Sequence, residues 1–115
     1  MKILVCGGRD YNNITKITET LEFLSKALTP ITEIIEGGAS GVDMHAGNWA
    51  EQKQIKHTVF TADWEKHGKA AGPIRNKQML DVGQPTMVVA FPGGKGTANM
   101  VKLAQEAEIG VYLVL

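Results

Sequence analysis

The sequence predicts an α/β fold: one three-layer domain whose five-stranded parallel sheet is covered by helices on both faces. Three observations predict it. Short apolar runs without alternation, such as Ile3-Leu4-Val5-Cys6 and Met87-Val88-Val89-Ala90, have the character of strands buried on both sides. Segments with apolar residues at three- and four-residue steps stand between such runs. Gly-Gly follows three of the strands, at Gly7-Gly8, Gly37-Gly38 and Gly93-Gly94. Repeated strand–turn–helix units of this kind join parallel strands through right-handed crossovers.

Taken in order, the first strand is Ile3–Cys6. Asn12 or Asn13 can then cap a helix in which Ile14, Ile17, Leu21, Leu24 and Leu28 form one apolar face. Pro30 closes it, because the residue before a proline is steered away from helical geometry. Thr32–Glu36 is the second strand. Ser40 and Asp43 have the spacing of a capping box, with aspartate in place of the usual Glu or Gln, ahead of a helix carrying Val42, Ala46, Trp49 and Ala50 on one side. His57–Phe60 is the third strand, and 61–72 is the longest irregular stretch. Pro73 suits a first helical turn, in a helix expected to run to about Val82 and stop at Gly83. Met87–Ala90, a helix ending near Glu108 and a final strand, Val111–Leu115, complete the chain.

Composition narrows the function classes. Twelve basic residues balance twelve acidic ones, for a net charge of zero, which argues against binding nucleic acid through bulk electrostatics. Cys6 is the only cysteine, so no internal disulfide forms, and His45, His57 and His67 have no metal-ligand spacing. No metal and no cofactor is expected. His57 reads as a strand residue and the other two as exposed, with His67 the one site candidate among them. No stretch approaches membrane-span length and the opening apolar run is too short for a signal peptide, so a cytoplasmic protein without a membrane partner is expected.

In a doubly wound sheet every strand-to-helix turn lies on the carboxyl edge, where such folds bind ligands. Gly7-Gly8, Gly37-Gly38, the loop around Asp63 and the segment Pro92–Gly96 should therefore converge. A glycine turn before a helix presents bare N–H groups at a positive terminus, which is an anion site with phosphate as its commonest guest. The simpler alternative is that the glycines only permit a sharp turn. G-x-G-x-x-G and G-x-x-x-x-G-K-[ST] are both absent, and Glu36 is the one acidic residue ending the second strand.

Pro92-Gly93-Gly94-Lys95-Gly96-Thr97 resembles the P-G-G-x-G-T motif of the SLOG superfamily, Rossmann-like domains that include the Lonely guy (LOG) phosphoribohydrolases and the DNA-processing DprA group. Gly7-Gly8-Arg9-Asp10-Tyr11, Gly37-Gly38-Ala39-Ser40-Gly41-Val42-Asp43 and Ala71-Gly72-Pro73-Ile74-Arg75-Asn76-Lys77-Gln78-Met79 are similar to the YspA-type, cpYpsA-related branch. Together these motifs span essentially the whole chain. The resemblance implies a site for a nucleotide or nucleotide derivative at the carboxyl edge, and self-association as a homodimer or larger assembly.

The binding candidates follow from those motifs. Backbone N–H groups of Gly93-Gly94-Lys95-Gly96-Thr97, in the segment that Pro92 opens, would hold a phosphate, with the Thr97 hydroxyl as a further donor or as a plain N-cap. Lys95 would add charge, or stand as a solvated turn lysine. Gly7, Gly8, Gly37 and Gly38 would let a ribose or base approach the sheet, with Ser40 and Asp43 beside them. Arg9 is placed for phosphate, with a surface ion pair to Asp10 as the plainer role. Arg75 and Asn76 are expected in a first helical turn, where an arginine gains nothing from the helix dipole. Asp63 would bond a ribose and Trp64 stack on a base, or serve as a packing anchor.

Catalysis is weighed at one position. In LOG-type enzymes the motif continues to a glutamate that acts with an arginine from the preceding helix to cleave an N-glycosidic bond. Arg75 corresponds to the arginine, but the glutamate position here is Met100, which can neither orient water nor stabilise positive charge. Asp10, Asp43, Asp63 or Glu65 would have to substitute, so the catalytic candidates are Arg75 and Asp63. The expectation is a nucleotide-binding sensor or accessory module; the alternative is a hydrolase of nucleotide N-glycosidic bonds.

Overall fold

Eleven short segments alternate along the chain in a computed structural model that describes residues 1–115. They are β1 (Lys2–Cys6), α1 (Ile14–Ala27), β2 (Glu33–Glu36), α2 (Val42–Gln52), β3 (Lys56–Val59), α3 (Trp64–His67), a 3₁₀ turn (Gly68–Ala70), α4 (Ala71–Asp81), β4 (Met87–Ala90), α5 (Lys95–Glu106) and β5 (Gly110–Leu113). All five strands are parallel, in the order β3-β2-β1-β4-β5. The α/β fold expected from the alternation is the fold observed. No helix is long and apolar enough to cross a membrane.

The two faces are covered by different helices. Ile17, Leu21 and Leu24 of α1 and Val42, Ala46, Trp49 and Ala50 of α2 pack with Ile3, Val5, Ile34 and Val89 on one side. On the other, Met79 and Leu80 of α4 and Met100 and Ala104 of α5 pack with Leu4, Cys6, Ile35, Val88 and Ala90. Alternate residues of one strand thus feed opposite cores, which is why these runs carry no polar positions. The chain leaves β1 towards one face and β4 towards the other. Cys6 pairs with Ala90 at the carboxyl ends, so the divergence opens a crevice there, at the switch point of the sheet.

Several expected boundaries move. The stretch 61–72 is not irregular: it holds α3, the 3₁₀ turn and the start of α4. Asp63 caps α3, its Oδ1 accepting the Lys66 N–H at 3.1 Å. Pro73 is the third residue of α4, where a missing N–H costs nothing because the first turn has no intrahelical acceptors. Asn13 caps α1 through the Lys16 N–H at 3.0 Å. The capping box at Ser40 does not form. Gly41 holds the N-cap position of α2, and the Ser40 hydroxyl donates to the Arg9 carbonyl at 3.3 Å. Thr97 is not a cap either, since Gly94 is the N-cap of α5 and Thr97 lies in its first turn. His45 and His67 are half-buried, not exposed.

Candidate functional site

The glycine turns after β1, β2 and β4 lock together through backbone bonds. Gly8 donates to the Pro92 carbonyl at 2.8 Å and Val42 donates to the Gly8 carbonyl at 3.2 Å. The approach is close enough that side chains are excluded: a Cβ on Gly7 would lie 2.5 Å from Val42 Cγ2, and one on Gly93 would lie 2.8 Å from the Gly8 nitrogen. Glycine is required here by crowding between loops, and the loops in turn frame an open crevice above β1 and β4.

That crevice is a cavity of about 550 Å³. Gly7, Gly8 and Arg9 line it from β1, and Gly94, Lys95, Gly96 and Thr97 from the start of α5. Asp43 enters from α2, and Arg75 and Asn76 from α4. Seven of the expected binding residues do not line it, and neither do the further candidates Glu65 and His67. Asp63 is exposed and occupied as a cap, Asp10 is exposed outside the cavity, and Pro92 and Gly93 pack against the backbone of the β1 turn. Gly37, Gly38 and Ser40 belong to the interlocked β2 turn. Conversely, the cavity includes Val5, Cys6, Ala39, Lys69, Gly72, Pro73, Met79 and Asn99, which motif spacing did not single out for it, together with Trp64. Asn99 is one helical turn past the glycine loop, and that periodicity was the available signal. Lys69 had none.

Arg75 is held in place rather than free. Its Nη1 donates to the Gly37 carbonyl at 2.6 Å and its Nε to Asn76 Oδ1 at 3.0 Å. It sits five residues into α4, so the expected first-turn position is corrected and the dipole no longer bears on it. Burial lowers its affinity for the proton, Asp43 opposes that, and the positive charge of Arg9 adds to it. The Gly37 position shows the fit: a Cβ there would come 2.6 Å from Arg75 Nη1. Arg9 forms no ion pair with Asp10, and both are exposed.

Asn76 is a tether between α4 and α5. It is 4% exposed and its Nδ2 donates to Asn99 Oδ1 at 2.9 Å and to the Gly96 carbonyl at 3.2 Å. Asn76→Ala is expected to cost about 2 kcal/mol, since it strands buried polar partners, with the loss read as a lower midpoint in urea unfolding.

Asp43 is 7% exposed, and its Oδ2 accepts the Gly37 and Ala39 N–H groups, both at 3.2 Å. Burial pushes its carboxyl up from 3.8 to about 6. A carboxyl raised in the folded state is favoured when protonated, so its contribution is fully present below pH 3.8 and is lost as pH rises through about 6. Asp43→Asn, whose amide oxygen can accept the same N–H groups, should be more stable than the parent at pH 7.5. The gain is about 1–3 kcal/mol, and it should vanish below pH 4 in chemical unfolding curves measured across pH.

Two neighbouring groups are silent. Cys6 lines the floor of the cavity, but burial pushes its thiol up to about 12, so it stays protonated and unreactive near neutrality. Glu36 is taken by structure: its Oε2 lies 2.7 Å from His57 Nε2, and its other oxygen accepts the Gly38 N–H. Met100 is wholly buried against the sheet under α5 and does not reach the cavity.

The comparisons with known proteins agree with this architecture. Residues 1–67 match the model of the YAcAr family, described as the YspA, cpYpsA-related SLOG family. Over 118 residues the chain is 33% identical to the Gene 61 protein of Mycobacterium phage D29, covering 96% of this chain and 93% of that protein. Among solved structures, the X-ray structure of TM1055 superposes with a TM-score of 0.70 at 16% identity, over 96% of this chain and 71% of the other. DNA processing protein A (DprA) from Streptococcus pneumoniae gives a TM-score of 0.54 at 18% identity, over 98% of this chain and 58% of DprA.

Proposed function

The chain belongs to the YspA, cpYpsA-related SLOG family, and from that premise we propose that it binds a nucleotide or nucleotide derivative in the cavity above the carboxyl ends of β1 and β4, acting as a sensor or accessory module. One observation carries this reading. The glycine turn after β1 and the glycine-started helix α5 after β4 face one cavity of about 550 Å³ at the switch point of the sheet, within the size range of small-molecule sites. The first N–H groups of α5 have no intrahelical acceptors, so they are available to a phosphate. A thermal-shift panel of nucleosides, nucleoside monophosphates and diphosphates tests the proposal. Saturable stabilisation by a nucleotide is expected, about 2.7 kcal/mol at a hundred times Kd; a flat response across the panel at millimolar concentration would overturn it.

A second reading, hydrolysis of a nucleotide N-glycosidic bond, has Asp43 in its favour. It is the one carboxylate lining the cavity, and a carboxyl near 6 is suited to proton transfer close to neutral pH. The glutamate of LOG-type enzymes has no counterpart there, because Met100 lies in the core. Chromatography of nucleoside monophosphates after incubation decides between the readings: base released by the parent and not by Asp43→Asn supports hydrolysis. Self-association completes the proposal. The outer strand β5 leaves an unpaired edge with Tyr112 and Leu113 exposed, and light scattering giving twice the chain mass is the expected outcome.

A further inference from the structure

Resting on the nucleotide reading above, we propose that the ligand carries two or more linked phosphates, as in a nucleoside diphosphate or a pyrophosphate-bridged derivative. The charge lining the cavity is the reason. Arg9, Lys69, Arg75 and Lys95 all face it, from the β1 turn, the 3₁₀ turn, α4 and the first residue of α5. None of the four forms an ion pair; those of the protein are made by Lys53, Lys56, His57 and Lys77. Arg75 hydrogen-bonds only neutral oxygens, and the carboxylates that act on its charge are Asp43, which lines the cavity, and Glu36, which does not.

A third of the twelve basic residues thus meet at one cavity, against one of the twelve acidic residues, Asp43. Among the residues that line the cavity, four cations and one carboxylate leave a net of three positive charges. Lys95 adds to the imbalance, because it starts α5 where the dipole favours an anion and no acidic residue occupies that turn. A monophosphate supplies only about 1.5 to 2 negative charges, and a second linked phosphate closes the difference.

Two further groups match the rest of such a ligand. Asp43 is more than nine-tenths buried, and both of its hydrogen bonds fall on Oδ2, which leaves Oδ1 without a partner at the cavity wall. A ribose hydroxyl is a donor of the right kind. Trp64, half-exposed, lines the same cavity as Lys69 and offers an aromatic face to a base.

Isothermal titration of the full chain tests the proposal with matched mono- and diphosphates of the four common nucleosides, and with inorganic phosphate against pyrophosphate. Diphosphates are expected to bind at least tenfold more tightly than their monophosphates. The double variant Lys69→Ala/Lys95→Ala should bring that ratio to within about twofold while the melting temperature holds. Equal affinity for the two classes overturns the proposal and leaves the nucleotide reading standing. If no nucleotide binds, the nucleotide reading itself falls. Tighter binding of an oligothymidylate than of every diphosphate also overturns the proposal, in favour of a nucleic-acid strand.

Discussion

Gly94→Asp is expected to abolish nucleotide binding while leaving the protein at least as stable as the parent. Gly94 is the N-cap of α5, with φ −100° and no atom within 4 Å of where a Cβ would stand. Aspartate is among the favoured N-cap residues, and its charge also suits the positive helix terminus. The variant should therefore gain a few tenths of a kcal/mol up to about 1 kcal/mol. The same carboxylate would accept the N–H groups that a phosphate needs, and repel the phosphate besides. A loss of affinity of about 30-fold or more follows. Titration calorimetry and unfolding on one preparation check both signs; undiminished affinity would mean that phosphate is not held at this terminus.

Gly41→Ala is expected to cost about 3 kcal/mol, the largest stability loss of any single methyl added at a glycine of the site. Gly41 adopts φ +73°, a left-handed conformation that costs an L-residue about 1–2 kcal/mol. The added Cβ would also overlap the Gly8 carbonyl oxygen and stand 2.5 Å from that of Arg9. These are backbone atoms of the β1 turn, so relief requires the cavity rim to move, and overpacking of this kind costs about 1–3 kcal/mol. A drop in melting temperature of about 10–15 °C is the measurable result. Gly96→Ala is the control of opposite sign. It lies inside α5 with nothing within 4 Å, so it should gain up to about 1 kcal/mol of helix propensity. A similar loss in both variants would refute the role assigned to the loop interlock.

The α/β architecture was legible because buried parallel strands admit no polar position and helices admit only one apolar face. Both signals are periodic and local. The glycine turns after β1 and β4 were legible for the same reason, since each sits at a fixed place between a strand and a helix. Asp63 shows where this kind of reading stops. Its position in a loop on the carboxyl edge suited a ligand, yet its carboxylate caps a four-residue helix too short to show periodicity. Glu36 is similar: its place at the end of β2 was visible in the sequence, but the partner of its carboxylate, His57, lies twenty-one residues away.

From the sequence alone came the strand–helix alternation, the three glycine turns, the absence of standard nucleotide-binding motifs and the branch of the superfamily that the chain resembles. All of these are written in contiguous residues. Tertiary structure alone decided which turns open onto a cavity and which brace it. It also decided that Asp43 keeps one carboxylate oxygen free, that Met100 lies in the core, and that Lys69 joins Arg9, Arg75 and Lys95. Those facts depend on distances between elements far apart in the chain. A side chain's partner is chosen by what packs beside it, and no local pattern in the sequence encodes that neighbour.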